Sequence, residues 1–136
     1  SHVLEHIGQS PEIFIKNLKE LYRICKNQAL IQISVPHPRH DNFISDPTHV
    51  RPITIFGLSM FNRALNENWE KNGAANTPKA LIHDVNFCIE DSSYDLEDVI
   101  LTKFNTGEID KPQLDYMIKH NNNIVAQINI KWRVIK

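Results

Sequence analysis

Apolar side chains recur at three- and four-residue spacing over Ile13 or Phe14, Leu18, Leu21, Tyr22 and Cys25, with Lys16, Lys19, Glu20 and Arg23 between them. That rhythm predicts an amphipathic helix of about four turns ending near Lys26 and Asn27. Ser10-Pro11-Glu12 supplies its start, with Ser10 as the cap and Pro11 at the first helical position. Ala29–Val35 is short, β-branched and nearly all apolar, which predicts a strand buried on both faces, as in a parallel sheet. Ile55, Leu58, Phe61 (or Met60) and Leu65 predict one helix over Thr54–Glu67, capped by Thr54.

The second half is read in the same way. Glu70–Pro78 is a polar loop, and Val85, Phe87 and Ile89 alternate with polar residues to predict a strand within Ala80–Asp91. Ser92–Glu108 fits a strand or a short helix. Pro112–Lys119 is helical, and Asn121-Asn122-Asn123 is a turn. Ile124, Ala126, Ile128, Ile130, Trp132 and Val134 then alternate cleanly, so Ile124–Ile135 is a strand expected to pair antiparallel with the one near Val85–Glu90.

Between the Ala29–Val35 strand and the Thr54 helix lies V-P-H-P-R-H-D-N-F-I-S-D-P-T-H-V-R, residues 35–51. It is too polar to be core, and Pro36, Pro38 and Pro47 shape it. A shaped polar loop after a buried strand is where α/β domains place chemistry. Its histidines admit three readings. His37, His40, Asp41 and His49 offer metal-ligand atoms, but their spacing matches no tight zinc pattern, so no metal is expected. His37, Arg39, Asp46, His49 and Arg51 could bind substrate, with His37 and His49 as acid–base candidates and the arginines suited to an anionic acceptor. Or the same groups shape the loop, with Asp46 and His49 bonded across the D-P-T-H turn and to Arg51.

Composition narrows the partners. A chain of 136 residues, 41% hydrophobic and 23% charged, is expected to form one domain over 1–136. A net charge of −1 gives no general attraction to nucleic acid or membrane, leaving a small molecule or another protein. Cys25 and Cys88 stand far apart, as two thiols in a reducing compartment would. With no apolar run near the ~20 residues of a membrane span and no signal-peptide pattern at Ser1–Ile7, a cytoplasmic location is expected. The four glycines form neither GxGxxG nor GxxxxGK[ST]. Trp69 and Trp132 read as core, and Asp91, Asp95, Glu97 and Asp98 as a solvated acidic surface.

S-H-V-L-E-H-I at 1–7, L-K-E-L-Y-R-I-C-K-N at 18–27, V-P-H-P at 35–38 and D-P-T-H-V-R at 46–51 resemble, in the same order, the second half of a class I S-adenosylmethionine-dependent methyltransferase. The resemblance implies an α/β, Rossmann-like sheet with flanking helices, its last strand antiparallel between strands five and six. It implies S-adenosyl-L-methionine as cofactor, with Ser1 and His2 beside the cofactor's methionine part, and methyl transfer to a small or sugar-like acceptor. Glu5 and His6 are expected to be structural. The glycine-rich turn and the ribose-holding acid of the family are expected upstream of Ser1, so this stretch alone should bind cofactor weakly or not at all. K-N-Q-A at 26–29 departs from the family's glycine-containing turn. The alternative is a non-catalytic, methyltransferase-derived module that dimerises through the open edge of the Ala29–Val35 strand.

Overall fold

The computed structural model describes all 136 residues. Helix α1 spans Pro11–Ile24, and the Ser10 hydroxyl accepts from the Ile13 N–H as the sequence predicts. It presents Phe14 and Leu18 to the sheet. Strand β1 follows at Leu30–Pro36 and leads through the one-turn helix α2, Asp41–Ile44, to Thr54, whose side chain caps α3, Ile55–Ser59.

The single helix expected over Thr54–Glu67 is two. Helix α3 stops at Met60, and α4 starts afresh at Arg63–Lys71 because the Asn62 side chain accepts from the Leu65 N–H, a cap that competes with continuous helix. Buried Asn66 holds the break closed: its amide donates to the Met60 carbonyl and its oxygen accepts from the Ala80 N–H. The strand expected within Ala80–Asp91 begins late. Lys79–His83 forms α5, ended by Asp84 in the left-handed region (φ 52°), and β2 runs Phe87–Leu96. The ambiguous Ser92–Glu108 stretch divides into the end of β2 and helix α6, Asp98–Asn105. Helix α7, Lys111–His120, opens with a capping box between Asp110 and Gln113, and β3 closes the chain at Val125–Val134.

These elements make an α/β fold with one open three-stranded sheet, ordered β1-β3-β2. Strand β3 is antiparallel to both neighbours, so β1 and β2 run parallel to each other on either side of it. Register places Ile33 opposite Ile130, Val35 opposite Ile128 and Phe87 opposite Val134. On that face Ile33, Val35, Phe87, Ile128, Ile130, Trp132 and Val134 meet α1, α3, Ile53 and Phe61 in one continuous core.

The other face is polar, which corrects the expectation that β1 is buried on both sides. Gln127, Asn129, Lys131 and Arg133 alternate with the core positions of β3; Lys131 pairs with Asp91 at 3.0 Å, and Arg133 forks onto Glu90. Leu30, opposite Arg133, is 43% exposed. Strand β1 is also an edge, touched along its outer side by one backbone bond, His2 N–H to the Ser34 carbonyl at 2.7 Å. Both cysteines are free, and no helix is long and apolar enough to cross a membrane.

Candidate functional site

The polar loop does not form a single wall. Its first part turns toward α6 and α7. Arg39 donates to the carbonyls of Ile118 and Lys119, a cation on the negative end of α7. His40 accepts from the Asn42 N–H at Nδ1 and reaches Glu97 with Nε2 at 2.5 Å. His37 lies edge-on to Tyr94, ring centroids 5.9 Å apart, and its Nδ1 accepts the Arg39 N–H.

Burial, and then the neighbouring Arg39 and His40, lower the His37 pKa from its ordinary 6.5. Between that lowered value and 6.5 the folded chain therefore binds fewer protons than the unfolded chain. The stabilisation is full above pH 6.5 and is lost as the pH falls through the folded value. Urea titrations at stepped pH are expected to show His37→Gln with a shallower loss of stability on acidification than wild type. An unchanged pH slope would refute this account of the loop; His83, whose pKa is also lowered by burial, contributes the slope that remains.

The second part turns back to the start of the chain. The Glu5 carbonyl accepts two N–H groups, from Val50 at 2.9 Å and Arg51 at 3.2 Å, fastening L-E-H-I to D-P-T-H-V-R. Arg51 donates to the carbonyls of Gly8 and Ser10 and lies over the Phe14 ring, 4.3 Å from its centre. Both arginines proposed for an anionic acceptor thus carry structural bonds, and Arg51 makes none to Asp46. The Asp46 Oδ1 accepts from the Thr48 N–H and hydroxyl, which lowers its pKa.

Around this junction the structure gathers Glu5, His6 and His49, whose candidate ligand atoms lie within 4.8 Å of one another. Glu5 is 1% exposed at its side chain, and neither carboxyl oxygen has a hydrogen-bond partner. Oε1 lies 3.5 Å from His2 Nδ1 and 4.0 Å from His6 Nε2, while His49 Nε2 lies 3.7 Å from Asp46 Oδ2.

No protein-family model, curated protein or solved structure matches the chain.

Of the residues singled out in the sequence, His2 lies against Glu5, and His49, beside Asp46, is grouped with that same Glu5, while His37 and Arg39 make their contacts with β2 and α7. Ser1 is exposed at the edge of β1. The sequence reading left out Glu5 and His6 as site residues. The available signal was the polar pair Glu5-His6 set between Leu4 and Ile7.

Proposed function

We propose that this chain is the C-terminal half of a class I methyltransferase fold, whose complete form moves a methyl group from S-adenosylmethionine to a small or sugar-like acceptor. The observation that carries the reading is the strand order. A last strand antiparallel between two parallel ones is the arrangement the resemblance implies for strands five, seven and six. His2, bonded to Ser34, sits at the C-terminal end of the open β1 edge, where a parallel fourth strand would end. In this reading the Glu5–His49 junction faces the acceptor. Methyl transfer from a sulfonium needs alignment and a proton acceptor, and the junction supplies imidazole nitrogens for the latter.

The test is titration calorimetry with S-adenosylhomocysteine. The 136-residue chain is expected to give no binding heat. The polypeptide extended upstream through a strand and glycine-rich turn, about 70 residues earlier as two βαβ units require, should bind at micromolar concentration. Micromolar binding by the short chain, or an upstream region without that turn, would overturn the reading.

The open β1 edge favours a second reading, a non-catalytic module that pairs edge to edge with another copy. Light scattering separates the two: a tight dimer without cofactor affinity supports the module, a monomer the fragment.

A further inference from the structure

Three histidines surround Glu5, and the hydrogen bonds on their outer sides fix where each carries its proton. The Thr48 hydroxyl donates to Asp46, so it and the Thr48 carbonyl can only accept from His6, which places the proton on Nδ1. His49 Nδ1 faces the Phe43 carbonyl at 2.8 Å and must likewise donate. His2 Nε2 faces the Gln127 oxygen at 2.8 Å; the Gln127 amide donates to Asp95, so its oxygen accepts and His2 Nε2 carries the proton. In the neutral rings the inner nitrogens, His6 Nε2, His49 Nε2 and His2 Nδ1, are then the bare ones.

With neutral rings the centre of the junction holds acceptors and no donor. Imidazole nitrogens of His6 and His49 and the unpartnered Glu5 carboxyl converge on one another, with His2 Nδ1 beside Glu5 and Asp46 Oδ2 beside His49. Lone pairs facing lone pairs repel, and burying a carboxyl without a partner is costly. A cation between them removes both penalties. The outer bonds of His6 and His49, from imidazole N–H to backbone carbonyl, are also the supports that orient metal-ligating histidines.

We propose that Glu5, His6 and His49 bind a divalent transition-metal ion of the zinc, cobalt or manganese type, with Asp46 Oδ2 and His2 Nδ1 beside the remaining coordination positions. Two imidazoles and a carboxylate are a donor set that such ions accept. Bond lengths of ~2.1 Å bring tetrahedral ligand atoms to about 3.4 Å apart, so the present separations close by roughly 1 Å on binding. The His6 side chain is 34% exposed and gives the ion a route from solvent; that of His49 is 7% exposed and anchors it. Under the methyltransferase reading a bound ion would replace His49 as the group acting on an acceptor hydroxyl. The site itself rests on the junction and not on that reading.

The experiment is titration of the metal-free 136-residue protein with Co²⁺, read by its visible absorption, followed by competition with Zn²⁺. One equivalent is expected to bind. Glu5→Gln, His6→Asn and His49→Gln should each weaken binding by at least about tenfold. His37→Asn and His120→Asn should leave it unchanged, and circular dichroism verifies that each variant is folded. No S-adenosyl compound is present, so the result is independent of the calorimetry above. Absence of stoichiometric Co²⁺ binding, or binding that the three site variants leave intact, would overturn the proposal.

Discussion

Trp132→Ala is expected to remove about 4 kcal/mol of folding stability, the cost typical of a large aromatic deleted from a close-packed interior. Trp132 is fully buried on the central strand, stacked on Phe87 with centroids 3.9 Å apart and edge-on to Phe61 at 6.1 Å. Small domains have roughly 5–15 kcal/mol in all, so this one change should bring the chain near unfolding at physiological temperature. Trp132→Phe is the informative companion. It keeps a ring on Phe87 and deletes an indole N–H that has no partner, so its cost should stay below about 1.5 kcal/mol. Urea denaturation followed by circular dichroism measures both. A loss below about 1 kcal/mol for the alanine variant would mean that the centre of the core lies elsewhere.

Glu5→Met is expected to act in the opposite direction, raising the stability of the metal-free protein by about 1–3 kcal/mol. The substitution removes a buried carboxyl with two unpartnered oxygens and keeps the backbone carbonyl that holds Val50 and Arg51. Methionine is close in length and flexible enough to fill the vacated space. Denaturant midpoints measured with a chelator present test this, and a second titration with Zn²⁺ extends it: the wild type should gain stability by mass action and the variant should not. A large loss in the chelated Glu5→Met protein would mean that contacts to His2 and His6 already satisfy the carboxyl. A stabilising substitution at a site that loses its ligand is the usual mark of a group kept for function.

Local physics made much of this fold legible. Ser10 and Thr54 cap helices because their side chains reach an N–H three residues away, a relation visible in any short window. Strand β3 was legible from its alternation over Ile128, Ile130, Trp132 and Val134, which are buried as the pattern predicts, whereas at its start Val125 is buried instead of Ala126, where the pairing with β2 shifts register. The break between α3 and α4 was not, because the apolar spacing of Leu58, Phe61 and Leu65 continues across it while Asn62 restarts the helix. The polar face of β1 was missed for a related reason. Leu30 and Gln32 belong to a run rich in apolar residues, and only the register against Arg133 and Lys131 reveals that their side faces water.

The site was legible in halves. Residues 35–51 read as too polar for core, yet Val35 and His40 are buried, the loop's groups separate toward α7 and toward the start of the chain, and spacing along the chain carries no information on which way a histidine turns. Glu5 meets Val50 and His6 meets Thr48 across more than forty intervening residues. What joins them is a tertiary contact, the doubly accepting Glu5 carbonyl, that no short window contains.

The position of β3 has a consequence during synthesis. The strand that joins the other two is the last of the three to leave the ribosome, so β1 and β2 both emerge before the strand that bridges them. Pairing of Ile33 with Ile130 or Phe87 with Val134 waits until residues 125–134 are free. Until then the apolar side of β1 is open to other nascent chains, the state in which helper proteins are engaged and misassembly begins. Joining of β1 to β2 is therefore a single late event, and the core face that α1 shares with Ile128, Ile130 and Trp132 closes only when that event occurs.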